Sequence, residues 1–240
     1  MSETALFISD LHLGLESPQK EKLKERKLVE FLHFANGKTG KLFIVGDLFD
    51  YWFEYRRVIQ KGFFRTLTAL QDLTEAGVEV NYLIGNHDFL HRDFFNKEIG
   101  VNLYQSELTA TINGKKFFIA HGDGLVENDF GYKVLKKILR NRITQRMYSM
   151  LHPDFGIWLA SSTSKNSRSY TGQKDYGEND GLLKTAQKKI DEGFDYVIFG
   201  HTHVKRFEGY KNGFYVNLGS WLEKPCYGKF SDNKFEIINW

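Results

Sequence analysis

Five short segments of the chain end in side chains that could hold a cation or move a proton. They are Asp10-Leu11-His12, Gly46-Asp47-Leu48-Phe49-Asp50, Gly85-Asn86-His87-Asp88, His121-Gly122-Asp123 and Gly200-His201-Thr202-His203. Five of the eight histidines stand in these blocks. Imidazole, carboxylate and amide donors without a thiolate suit borderline divalent metals such as Mn²⁺, Zn²⁺ or Fe²⁺. One Asp-x-His or His-x-His pair is weak support, because such pairs more often serve packing or the surface. Five blocks placed alike along the chain are a different matter, and they point to one shared metal centre.

The placement is set by what precedes each block. The runs Ala5–Ser9, Leu42–Gly46, Val80–Gly85, Phe117–Ala120 and Tyr196–Gly200 are short and rich in Phe, Ile, Val and Leu. They read as strands buried on both faces. Open α/β sheets collect ligands at the carboxyl ends of their strands, so the five blocks should meet in one crevice. Helical spacing appears at Leu23, Leu28, Phe31, Leu32 and Ala35, and again at Phe63, Leu67, Leu70 and Leu73 before Gly77. Asn113-Gly114 and Asn212-Gly213 read as hairpin turns between alternating strands. The expected fold class is α/β, with layered mixed sheets, in one domain over residues 1–240.

In order and spacing, the five blocks resemble the calcineurin-like metallophosphoesterase superfamily, over residues 10 to 203. The resemblance implies two mixed sheets sandwiched by helices, and a binuclear centre. Asp10, His12, Asp47 and His203 would hold one metal ion. Asp47, Asn86, His121 and His201 would hold the second, with Asp47 shared. His87 and Asp88 would be the catalytic pair, His87 as the non-ligand imidazole, while Asp88 and Asp50 orient ligands. The cofactors implied are two divalent ions, Mn²⁺ first, with Zn²⁺, Fe²⁺ or Mg²⁺ as alternatives. Two such ions neutralise phosphate oxygens and supply a bridging hydroxide that attacks phosphorus. No side-chain nucleophile is needed. None is found either, since there is no Gly-x-Ser-x-Gly and Cys226 has no accompanying motif.

Within that superfamily, Phe7–Leu13, Gly46–Trp52, Gly85–Leu90 and His121–Leu125, followed by Asp129 and Tyr132, are similar to the UDP-2,3-diacylglucosamine hydrolases. That similarity implies cleavage of the pyrophosphate of a lipid-bearing sugar nucleotide in lipid A biosynthesis. It also implies a cytoplasmic protein, peripheral on the inner face of the cytoplasmic membrane. Asp129, Tyr132, Ser164, Asn166 and Arg168 would contact the substrate. One position departs from the pattern, for the best-known branch carries Arg where this chain has His87. The alternative is a phosphodiesterase or nuclease of the same superfamily acting on another phosphate ester.

Composition narrows the remainder. Lys plus Arg is 33 and Asp plus Glu is 30, a net charge of +3 over 240 residues. One cysteine excludes a disulfide scaffold, and aromatics at 15% argue against disorder. No apolar run reaches the ~18 residues of a membrane helix, and the N-terminus lacks the pattern of a secretory signal. The small net charge hides a segregation. Residues 130–153 carry Lys133, Lys136, Lys137, Arg140, Arg142 and Arg146 and no acid, which leaves the rest of the chain net acidic. Val134, Leu135, Ile138, Leu139, Ile143, Met147, Met150 and Leu151 recur there at helical spacing. Residues from roughly 128 to 185 therefore read as an inserted lid, part helix and part loop. A lid helix packed on the domain is the favoured reading. A cationic helix lying on anionic lipid is the second. Nucleic-acid contact ranks last, because no series of stacking aromatics accompanies the charge.

Overall fold

A computed structural model of the chain describes residues 3–125, 137–159, 181–222 and 224–240. Two sheets lie face to face. The first has the order β11-β10-β1-β2-β3-β4, with β1 Ala5–Ile8, β2 Lys41–Val45, β3 Glu79–Leu83, β4 Asn102–Tyr104, β10 Cys226–Ser231 and β11 Lys234–Asn239. Strands β1 to β4 run parallel, and the β10–β11 hairpin joins β1 antiparallel. The second has the order β5-β6-β7-β9-β8, with β5 Glu107–Ile112, β6 Lys115–Ala120, β7 Tyr196–Phe199, β8 Arg206–Tyr210 and β9 Gly213–Asn217. Here β6, β7 and β9 are parallel, and β5 and β8 are antiparallel edges.

Alternation along each strand divides its side chains between two layers. Ala5, Phe7, Phe43 and Val45 pack against Phe117, Ile119, Ile198 and Val216 of the opposite sheet. Leu6, Ile8, Leu42 and Ile44 face the other way, onto α1 (Pro18–Ala35) and α2 (Phe64–Glu75). The outer face of the second sheet is covered by Leu182, Ala186 and Ile190 of α5 (Gly181–Asp191). The result is the expected α/β layering, helix on sheet on sheet on helix.

The five anticipated strands are present, each within two residues of its expected ends. Other details differ. Leu23 does not share the buried face of α1; it is 59% exposed, and the buried position one residue on is Lys24. Phe63 precedes α2 and sits at φ 55° as its cap. Asn113-Gly114 forms the expected two-residue turn between paired Ile112 and Lys115. In the other hairpin Tyr210 pairs with Gly213, so the turn is Lys211-Asn212, one residue earlier than expected. A third turn, Asp232-Asn233, closes β10 on β11 with both residues at positive φ. That geometry matches the right-handed twist of a hairpin.

Among the described residues the insertion is partly helical, with several apolar side chains left exposed. It contains helical residues 137–139, α3 (Arg142–Tyr148) and α4, residues 153–159. Ile143, Met147, Met150 and Trp158 are 61–81% exposed, rather than packed against the sheets. Among the described residues, the insertion is held to the body at Tyr148 and at Arg140. Tyr148 packs with Tyr51, Phe53 and Leu90, and its hydroxyl lies 3.0 Å from that of Tyr51. Arg140 donates to the carbonyls of Gln105 at 2.6 Å and Gly85 at 3.1 Å, and lies 3.7 Å from the Asp123 carboxylate. Arg140 therefore does not belong to a solvent-facing basic row. Trp52 is fully buried in the core, whereas Phe53 and Tyr55 join the cluster beneath Tyr148.

Candidate metal centre

Because β1, β2 and β3 are parallel neighbours, the residues just past their ends emerge side by side. The same holds for β6 and β7 in the facing sheet. The five blocks thus meet at one edge of the sandwich. Asp10, His12, Asp47 and His121 are at most 1% exposed, while His203 lies at the rim. The Nε2 atoms of His12 and His203 face each other at 3.1 Å. Asp10 Oδ1 lies 3.3 Å from His203 Nε2 and 3.8 Å from His12 Nε2, yet has no hydrogen-bond partner although it is buried. A buried carboxylate oxygen left unpaired beside two imidazole nitrogens is costly unless a cation completes the set.

A second group adjoins the first. Asp47 Oδ2 lies 3.3 Å from His121 Nε2 and 3.7 Å from His12 Nε2, so one carboxylate stands between both groups. Asn86 Oδ1 is 3.0 Å from His121 Nε2 and 3.0 Å from His201 Nδ1. Among the described residues, three sets could each hold a metal ion, namely Asp10 with His12 and His203, Asp10 with Asp47 and His121, and His12 with Asp47 and His87. The nitrogen and oxygen donors fit a borderline divalent cation. All seven residues expected as ligands are in this crevice. His87 is there too, with its ring edge-on to His12 at 4.9 Å and its Nδ1 3.4 Å from Asp50 Oδ1. Asp50 also lies 3.9 Å from His12 Nδ1, between the two imidazoles.

Asp88 is placed differently from a catalytic group. It is fully buried behind the crevice and accepts from the backbone N–H of Leu48 at 2.8 Å and of Gly85 at 2.9 Å, and from the Tyr82 hydroxyl. It ties the loop carrying Asp47 to the loop carrying Asn86 and His87. Asp129, Tyr132, Ser164, Asn166 and Arg168 lie outside the described residues.

Several holding groups were not read from the sequence. Ser9 Oγ donates to Asp10 Oδ2 at 2.5 Å and to Val45 O at 2.8 Å, locking one oxygen of that carboxylate. His201 N donates to the same oxygen at 2.9 Å. Lys24 Nζ donates to His12 O at 2.7 Å, and its partner Glu21 accepts from Gly14 N and Glu16 N, which fixes the turn after His12. Asn217 donates to Gly200 O at 2.7 Å beneath the last block. The signal for Lys24 was its heptad-like place among Leu28, Phe31 and Ala35 on the apolar side of α1. Close approach explains two glycines. A Cβ at Gly85 would lie 2.1 Å from Asp47 Oδ1, and one at Gly200 would lie 2.0 Å from Ser9 Oγ. Asp10, His12, Asp47, His201 and His203 all hold positive φ, a backbone state that non-glycine residues adopt only where the surroundings enforce it.

The electrostatics follow from burial and proximity. Burial opposes ionisation of Asp10 and Asp47, but the facing histidines outweigh it and hold both below the usual carboxylate range, Asp47 well below. Burial would lower the His121 imidazole. Asp47 overrides this and raises it to about 10. Burial and the neighbouring His121 push His201 down to about 4. Burial and Asp47 raise Asp88.

The comparisons with known proteins come to the same place. The family model of the calcineurin-like phosphoesterases matches residues 4–205, and the chain belongs to this family. Among individual relatives, a UDP-2,3-diacylglucosamine hydrolase of Porphyromonas gingivalis is 32% identical over 85% of this chain and 84% of its own length. One of Neisseria meningitidis serogroup B is 32% identical over 90% of this chain and 89% of its own. A solved archaeal phosphodiesterase, 17% identical, superposes with a TM-score of 0.50 over 99% of each chain and shares the fold.

A ligating imidazole must be neutral, whereas His121 without a cation holds its proton up to about pH 10. Cation uptake should therefore release protons, and affinity should rise between about pH 6.5 and 8.5. Manganese titration calorimetry in buffers of different ionisation enthalpy checks this. Buffer-independent heats would contradict it.

Proposed function

We propose that this chain is a metal-dependent hydrolase that cleaves the pyrophosphate bond of UDP-2,3-diacylglucosamine, giving UMP and the acylated sugar 1-phosphate, a step of lipid A biosynthesis. The observation that carries the reading is the unpartnered Asp10 Oδ1 facing His12 and His203, beside the Asp47–His121 pair. Its setting in a chain similar over most of its length to hydrolases of that name supports the substrate.

The proposed roles are these. Asp10, His12, Asp47 and His203 hold one divalent cation, and Asp47, Asn86, His121 and His201 hold a second, manganese being the first candidate. Such ions, when bound, neutralise phosphate oxygens and activate water. Asp47 and Asp10 keep their negative charge in a buried crevice because the histidines face them. His87 stands at the open side of the cluster, 15% exposed, and is the group placed to protonate the leaving oxygen or steady the charge developing on phosphorus. Asp50 fixes the rings of His87 and His12, and Asp88 fixes the loops that carry Asp47 and Asn86. Asp129, Tyr132, Ser164, Asn166 and Arg168 are assigned to substrate contact.

The insertion gains a role from its exposed side chains. Ile143, Met147, Met150, Phe155 and Trp158 are exposed apolar side chains of the kind that take acyl chains or an anionic bilayer interface. No helix among the described residues is long and apolar enough to cross a membrane. The contact assigned to this surface is peripheral, at the inner face of the cytoplasmic membrane.

The deciding assay presents manganese-loaded protein with UDP-2,3-diacylglucosamine and, separately, with aryl phosphate monoesters and diesters. UMP release well above diester turnover is expected; turnover of the simple esters alone would sink the substrate assignment. His87→Ala should retain its metal on elemental analysis and lose about 10²-fold or more in kcat. Near-normal turnover in that variant would remove His87 from the chemistry. Replacing Met147, Met150 and Trp158 by Ser should weaken sedimentation with phosphatidylglycerol vesicles, and unchanged binding would end the membrane reading.

A further inference from the structure

The structure holds a second recess beside the metal centre. It has a volume of about 320 Å³ and is lined by His203, Lys205, Gly219, Ser220, Leu222, Lys224 and Cys226. One wall belongs to the metal cluster, for His203 is the residue whose Nε2 faces His12. The opposite wall is tied to the end of β1, since Ser220 Oγ and Trp221 N both donate to Asp10 O, at 3.0 and 3.2 Å. Its lining carries two lysines. Lys205 is steadied by Asn239 Oδ1 at 3.1 Å, and Lys224 is exposed at the mouth. Leu222 and Gly219 supply an apolar flank. A recess of this size with two lysines suits a small anionic molecule.

Position selects which part of a substrate would enter. In the sheet order β11-β10-β1-β2-β3-β4, the recess lies on the β10 side of β1. The insertion is anchored on the other side, where Arg140 reaches Gly85 beyond β3 and Gln105 beyond β4. Asp10 and Asp47 stand between, at the ends of β1 and β2. Hydrolysis of a diphosphate parts the molecule at the attacked phosphorus, with the leaving oxygen opposite the entering one. The half that keeps the attacked phosphorus branches from an equatorial oxygen, so the two halves diverge from the metal centre in different directions. The insertion, with its exposed apolar residues, suits the acylated half.

We infer that the recess flanked by Lys205 and Lys224 binds the nucleoside monophosphate half of the substrate. This inference rests on the proposed diphosphate cleavage. The lysines meet the phosphate charge, and the Leu222–Gly219 flank takes the sugar or base. The recess thus acts as the specificity element for a nucleotide, separate from the surface that takes the lipid.

The test is titration calorimetry of manganese-loaded protein with two probes, UMP and inorganic phosphate. Three forms are compared: the unaltered protein, Lys205→Ala with Lys224→Ala, and Leu222→Trp, which fills the recess without removing charge. UMP affinity is expected to fall at least tenfold in both variants, while phosphate affinity changes less than threefold in Leu222→Trp and falls by a smaller factor than UMP affinity in the lysine variant. Absence of UMP binding to the unaltered protein, unchanged UMP affinity in either variant, or an equal loss for both probes would overturn the inference. Failure of the substrate reading shows itself elsewhere, as absence of UMP release from the lipid substrate in the activity assay. The binding result stands or falls without it.

Discussion

Two carboxylates that must stay charged out of water set the terms for this fold. Asp10 and Asp47 are buried at adjacent strand ends, and burial alone would neutralise them. Imidazoles at 3.3–3.8 Å offset that cost. A histidine ring reaches a point between two sheets only if its backbone arrives from the facing sheet. This is what the back-to-back packing of β1–β3 against β6 and β7 provides. The stacked Phe7 and Phe43 rings, 4.8 Å apart, and Phe117 beyond them set the spacing of the sheets. The distances at the rim therefore depend on aromatic packing in the interior.

Around that pair, nearly every polar group has a holding task. Ser9 and the His201 amide fix one oxygen of Asp10, and the other is left toward His12 and His203. Asp88 joins two loops, and Lys24 with Glu21 secures a third. The positive φ angles at five site residues are strained states that these ties maintain. A rigid rim suits chemistry in which positioning and charge do most of the work.

How much of this was legible depended on distance along the chain. The site was readable because each of its residues directly follows an apolar run, so local sequence carries both the element and its chemistry. Lys24 was not readable as a site residue, since its partner carbonyl at His12 is reached only through the docking of α1. The β10–β11 hairpin was missed because Cys-Tyr-Gly-Lys-Phe-Ser is a poor strand in isolation and is stabilised by pairing with β1. The exposure of Ile143, Met147, Met150 and Trp158 in the insertion was not legible, because a helical apolar spacing predicts a buried face whether the cover is protein or lipid. Arg140 looked like one more solvated charge, and nothing local reveals that it bonds the carbonyls of Gly85 and Gln105.

The pairing of β1 with β10 brings the first strand of the chain beside one of its last. Synthesis delivers residues in order, so β1 to β9 emerge while one edge of β1 is still bare. Asp10 meanwhile lacks the Ser220 and Trp221 donors that hold its carbonyl. The rim can therefore close only after Ser220, Trp221 and β10 have emerged. A chain cut short before residue 226 would keep all seven expected ligands and still lack the strand that borders the one carrying Asp10.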